Sequence, residues 1–143
     1  MNCESILKQL IQKFGDQICG SNLENLDPWI EVSPGGIADV CRYLKEQEDL
    51  QFDMLNCITA VDYFHTDPKK AAKAEWQPHL ELIYHLTSIS KKHPLVLKVK
   101  TCRWKDDVEG QLPEVPSVAH IWRTADWHER EVYDLSGIWF SDH

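Results

Sequence analysis

Two alternating runs constrain the fold more than any other part of the chain. Leu80, Leu82, Tyr84 and Leu86 are separated by Glu81, Ile83 and His85, and Leu95, Leu97 and Val99 are separated by Val96 and Lys98. Successive side chains of an extended strand point to opposite faces, so each run gathers its large apolar groups on one face. The polar stretch from Thr87 to Pro94 suits the connection of an antiparallel hairpin. A sheet with one apolar face needs a layer to cover it, and helices supply that layer.

The helices are legible on either side. Ile6, Leu7, Leu10, Ile11 and Phe14 fall at helical spacing, with Gly15 as a stop. Trp29–Val32 reads as a short strand. Ser33 is placed to cap a second helix and Pro34 to occupy its first turn, with Ile37, Val40, Cys41 and Leu44 forming the inward stripe. From Leu50 to Phe64 the period becomes two, and its phase shifts near Met54–Leu55, which predicts a strand with a bulge. His65 to Pro78 is charged and reads as a surface excursion, while Asp106 to Pro116 reads as loop. Ser117 is expected to cap a short helix ending at Trp122. Asp126 is expected to cap another, with Glu129 closing a capping box, Leu135 near the end and Gly137 at the C-terminal cap. Ile138–Phe140 begins a last strand. There are no internal repeats and no dividing linker, and 143 residues suit one domain. The expected architecture is α+β: a small mixed sheet with helices packed on one face, a two-layer single domain over residues 1–143.

Composition narrows the function. A net charge of −8 opposes binding to phosphate backbones or anionic lipid, so neither nucleic acid nor direct membrane contact is expected. The five cysteines, Cys3, Cys19, Cys41, Cys57 and Cys102, are scattered with no Cys-x-x-Cys, which reads as free thiols rather than a disulfide framework or a cluster site. Cys41 and Cys57 sit in apolar patterns and are expected to be buried. No stretch approaches the roughly 20 apolar residues of a membrane helix. The first ten residues lack the pattern of a signal or transit peptide, so the chain is expected to stay in the cytoplasm and reach a membrane only through partners. A metal-dependent hydrolase would draw on His120, His128, Glu129, Glu131 and Asp134, but no His-Glu-x-x-His is present. Gly-x-Ser-x-Gly is absent too, and Gly35–Gly36 lacks the Lys-Ser/Thr pair of a phosphate loop.

The run Ala125-Asp-Trp-His-Glu-Arg-Glu-Val-Tyr-Asp-Leu-Ser-Gly-Ile-Trp-Phe140 stands apart. On a helix, Trp127, Glu131 and Leu135 share a face, and Arg130 can pair with Asp134. Mixed charge beside aromatic surface is the chemistry of an interface core. It is also compatible with a solvated helix face or a catalytic carboxylate pair, and residue physics alone does not separate the three.

This run resembles the signature of the 30-kDa-type family of respiratory complex I: Glu-Arg-Glu, an aromatic, Asp, two apolar residues, then Gly-Ile-x-Phe. Thr59-Ala-Val-Asp-Tyr63, Leu82-Ile-Tyr-His-Leu86 and Val115-Pro-Ser-Val118 with Trp122 downstream resemble its pattern in the same order. The resemblance implies a non-catalytic component of a proton-translocating NADH:quinone oxidoreductase. It would sit in the peripheral arm on the cytoplasmic side of the membrane and scaffold the large quinone-site subunit and the iron–sulfur subunits. It implies no cofactor in this chain, with FMN, iron–sulfur clusters and quinone in partner subunits. The implied partner interface is Trp127, Glu129, Arg130, Glu131, Asp134 and Leu135. An equivalent component of a related membrane-bound hydrogenase or dehydrogenase fits the same signature. The sequence departs from the family at His128 and Ser136, both normally apolar or aromatic. It also departs at Asp142, where Gly is expected, and the C-terminal tail that reaches onto partners is expected to be missing.

Overall fold

A computed structural model describes residues 3–23, 28–63, 79–101 and 113–141. Helix α1 (Cys3–Phe14) passes through a short 3-10 turn into strand β1 (Ile18–Asn22). Strand β2 (Trp29–Val32), a second 3-10 turn (Pro34–Gly36) and helix α2 (Ile37–Glu46) follow. The long strands are β3 (Met54–Tyr63), β4 (His79–Ser88) and β5 (His93–Thr101). The chain closes with β6 (Glu114–Pro116), helix α3 (Thr124–Ser136) and β7 (Trp139–Ser141).

Five strands form one mixed sheet in the order β1-β2-β5-β4-β3, with β2 parallel to β5 and the other neighbours antiparallel. The alternation of β4 and β5 sets its inner face. Ile30 lies opposite Leu97, Leu97 opposite Tyr84, and Tyr84 opposite Ile58, an apolar row across four strands. Leu55, Leu80, Leu82, Leu86, Leu95 and Val99 fill the rows around it, all buried. Ile6 and Leu10 of α1, Ile37, Val40, Cys41 and Leu44 of α2, and Ala125 and Val132 of α3 join the same core. The helices therefore cover one face, as the sequence predicts. On the opposite face the Lys98 ammonium lies 4.4 Å from the centre of the Trp29 ring, and Lys100 pairs with Glu31 at 3.4 Å.

Several local expectations are corrected. Strand β1 has no counterpart in the sequence reading; its residues Ile-Cys-Gly-Ser-Asn carry little apolar signal, and it is held by pairing with β2. Ser33 does not cap α2. Its hydroxyl bonds the Gln17 side chain, and Pro34–Gly36 form a separate 3-10 turn first. A Cβ on Gly36 would lie 2.5 Å from that same Gln17 amide oxygen, so the junction needs glycine. Leu50–Asp53 is not strand: the Leu50 and Phe52 amides return to the Gln47 and Leu44 carbonyls, and Gln51 has φ 43°. Met54 begins β3, and the register shift falls between Leu55 and Cys57, beside the expected bulge. Glu114–Pro116 lies inside the expected loop yet forms β6, paired in parallel with β7. Cys41 is buried as expected, but Cys57 is half-buried on the sheet face away from the helices, opposite His85. The 65–78 excursion, Cys102 and the first part of the 106–116 loop lie outside the described residues.

Burial raises the Cys41 thiol far above its ordinary value, with the Glu129 carboxylate adding to the effect. Burial raises the Tyr84 phenol as well. Above about pH 8.5 an unfolded thiol ionises while the folded Cys41 keeps its proton. The unfolded state then binds fewer protons, so stability falls as pH rises, by up to about 1.4 kcal/mol per pH unit from this one group. Urea titrations between pH 7 and 10 should show the decline, and Cys41→Ala should flatten it. Leu97→Ala, at the centre of the apolar row, should cost about 2–5 kcal/mol in the same assay at pH 7.

Candidate partner-docking site

Helix α3 is fixed by what its inward face and its approach bond to. The segment before it is a turn, not the expected short helix: the amides of Ile121 and Trp122 both reach the Val118 carbonyl. Three side chains staple this turn to the start of the sheet and to α2. Trp122 Nε1 donates to the Phe52 carbonyl at 2.9 Å, Thr124 Oγ1 donates to the Leu55 carbonyl at 3.1 Å, and Lys45 Nζ donates to the Ile121 carbonyl. Helix α3 then starts at Thr124, two residues before Asp126. Asp126 thus lies within the first turn, the residue before the helix makes no side-chain cap, and the expected capping box does not form. Gly137 ends the helix with φ 72° and returns its N–H to the Tyr133 carbonyl, as its position in the sequence predicts.

Glu129 has a different role from the one expected. It is 1% exposed, and its carboxylate accepts from Ser117 Oγ at 2.5 Å and from the Val118 N–H at 2.8 Å. A buried carboxylate is tolerated when its oxygens receive donors, and here two come from the turn that leads from β6 towards α3. Glu129 therefore holds the 117–118 turn against α3 and is not available at the surface.

The other expected interface residues face outward. Trp127 is 66% and Leu135 86% exposed, and Arg130, Glu131 and Asp134 are exposed between them. Trp127 Nε1 donates to Glu131 Oε1 at 3.1 Å, as the i, i+4 spacing allows. Arg130 pairs with Asp126 at 3.4 Å, not with Asp134 as expected. Helical side chains lean toward the N-terminus, so Arg130 reaches back more readily than forward, and the acid-first order is the favoured one.

Two members of this surface are absent from the sequence reading. Tyr133 (42% exposed) and Trp139 (52%) meet edge to face, 5.7 Å between ring centres. The one signal for them is the left-handed Gly137, which folds β7 back beside the helix. Between them lies a groove of about 220 Å³ bounded by Arg130, Tyr133, Asp134, Trp139 and Phe140, with Glu129 at its base. Among the described residues no three His, Cys, Asp or Glu side chains are placed to hold a metal ion together. Among them, too, no helix is long and apolar enough to cross a membrane.

Fold and site together define a small mixed-sheet α+β domain that carries an aromatic and charged helix face. Residues 30–143 match the respiratory-chain NADH dehydrogenase 30 kDa subunit family, and the chain belongs to that family. It is 36% identical to the C 2 subunit of the NADH-quinone oxidoreductase of Rhizobium etli over 94% of this chain, and it spans 62% of that relative's length. Its fold matches the trypsin-resistant fragment of Nqo5 with a TM-score of 0.74 at 22% identity, over 100% of this chain and 98% of that one. It also matches a component of the membrane-bound sulfane sulfur reductase, an archaeal respiratory membrane complex, with a TM-score of 0.69 at 26% identity, over 98% and 71% of the two chains.

The two neighbouring acids should separate on mutation. Glu129→Ala leaves two donors without an acceptor and should cost about 1–3 kcal/mol for each. Glu131→Gln, on the exposed face, should change the isolated chain by less than about 1 kcal/mol. Urea denaturation of the two variants side by side measures the difference.

Proposed function

We propose that this chain is a non-catalytic scaffold in the peripheral arm of a proton-translocating NADH:quinone oxidoreductase, docking through the outward face of α3 and β7. One observation carries the reading. Of the seven exposed large hydrophobic residues described, four (Trp127, Tyr133, Leu135 and Trp139) belong to this one helix and the strand after it. Protein interfaces concentrate aromatic and Arg anchors in this manner, and a few such residues carry most of the binding energy. Family membership gives the setting.

In this reading the partner is the large quinone-site subunit, and FMN, iron–sulfur clusters and quinone belong to partner chains. The dispersal of the described thiols supports that division: Cys19 is on β1, Cys41 inside α2 and Cys57 on β3. The chain lies on the cytoplasmic side and meets the membrane through its partners. The likeness to a sulfane sulfur reductase component favours one second reading, the same scaffold role in a related membrane-bound complex with a different electron acceptor.

A tagged chain recovered from its host at low salt should bring with it quinone-reductase activity driven by NADH and the electron paramagnetic resonance signals of iron–sulfur clusters. The triple variant Trp127→Ala, Leu135→Ala, Trp139→Ala should lose at least about tenfold of that activity, since buried aromatic anchors are each worth about 2 kcal/mol or more. Its melting temperature should stay within a few degrees of the parent. Recovery of the parent with no flavin or iron–sulfur partner would overturn the proposal, and recovery with a sulfur-reducing or hydrogenase set would move it to the second reading.

A further inference from the structure

A second surface lies at the other end of α3. Where α2, the 118–123 turn and the start of β3 meet, there is a groove of about 490 Å³ lined by Lys45, Asp53, Met54, His120, Arg123 and Thr124. On a chain of net charge −8, this groove is cationic. Lys45 and Arg123 flank it, and Arg42 joins them through His120, its Nη2 lying 3.0 Å from His120 Nε2. A guanidinium has only donors, so His120 Nε2 accepts and the ring proton lies on Nδ1. That leaves an imidazole N–H and most of the Arg42 fork for an incoming acceptor. The one lining acid, Asp53, is held by the Ile89 N–H, which its Oδ1 accepts at 3.0 Å, and it offsets one of these three cations. The positive end of the α3 dipole adds to the same field. Met54, 41% exposed, gives the groove an apolar edge.

We infer that this groove takes an acidic segment of a partner polypeptide, one carrying two or more carboxylates beside an apolar side chain. Arg42 and Arg123 are suited to bidentate carboxylate pairing, and the sign of the groove is opposite to that of the chain around it. The surface also runs on into the face already described: Arg123, Trp127, Glu131 and Leu135 follow one another at i, i+4, i+8 and i+12 along one side of α3 and its N-terminal approach. An acidic partner segment here would set the register of docking while the aromatic end supplies the affinity. The inference rests on the docking reading above for the identity of the complex, but not for the chemistry of the groove.

The test uses the full chain, tagged, in its host complex, in three forms: parent, Arg42→Glu with Arg123→Glu, and Trp127→Ala with Leu135→Ala. Carbodiimide joins Lys45 to a carboxylate in contact with it, and peptide mass spectrometry then reads the partner sequence. The expected result is a Lys45 cross-link to an Asp or Glu within an acidic stretch of a co-purified protein. The charge-reversed form should show at least about tenfold less retained chain at physiological salt. Melting of the isolated variant, and a milder Arg42→Gln, Arg123→Gln pair, control for folding. If the charge-reversed form is retained like the parent and Lys45 reacts with an amine label equally in complex and alone, the inference is overturned. Loss of retention only in the Trp127, Leu135 form would sink the acidic-segment inference and leave the docking face standing. Loss only in the charge-reversed form would do the reverse.

Discussion

The structure depends on a sheet that has one apolar face. The buried row Ile30–Leu97–Tyr84–Ile58 and its flanking leucines form the centre of the described core. Because the side-chain period of a strand is two, a slip of one residue in β4 or β5 would turn that whole set to solvent, so register is strongly enforced. The helices follow from the need to cover this face. Their polar outer sides are then left for other work, and α3 uses its outer side most.

Much of this is readable in the sequence, for identifiable reasons. The hairpin of β4 and β5, the stripes of α1 and α2, the Gly137 cap and the final strand all come from strong periodicity or from a residue with special backbone freedom. Strands β1 and β6 are not readable. The residues of β1 have no apolar alternation and are strand only because β2 lies beside them, and Glu114–Pro116 is short and ends in proline. Caps are the weakest guide. Ser33 and Asp126 have the right chemistry for a helix start, but tertiary contacts use the first and the helix begins before the second; Ser117 does accept the Ala119 N–H as a cap would, yet only a turn follows it.

The candidate site shows the same division. Helical geometry places Trp127, Glu131 and Leu135 together without any structural information. What sequence does not show is that Glu129, Arg130 and Glu131 have three separate tasks. Each residue turns about 100° from the last. Glu129 therefore faces the core and binds the Ser117–Val118 turn, Arg130 returns to Asp126 on its own helix, and Glu131 meets the Trp127 indole at the surface. A motif of adjacent charges reads as one functional unit on paper. In three dimensions it joins an internal clamp to an external contact, so a change in the first disturbs the second only by moving the helix that carries both.

The parallel pairing of β2 with β5 has a consequence for how the chain comes together. Residues 29–31 must wait for residues 96–98, with α2, β3 and β4 between them in the chain. Contacts that close so long a stretch come at a high entropic cost and form late. During synthesis the segment holding β1 and β2 leaves the ribosome well before its neighbour in the sheet exists. The local β4–β5 hairpin can form as soon as both strands are made, so it is the natural nucleus, and β2 with its attached β1 closes the sheet afterwards as a final edge. Until then one edge of β2 has no partner strand, so its apolar residues join the core only when β5 is in place.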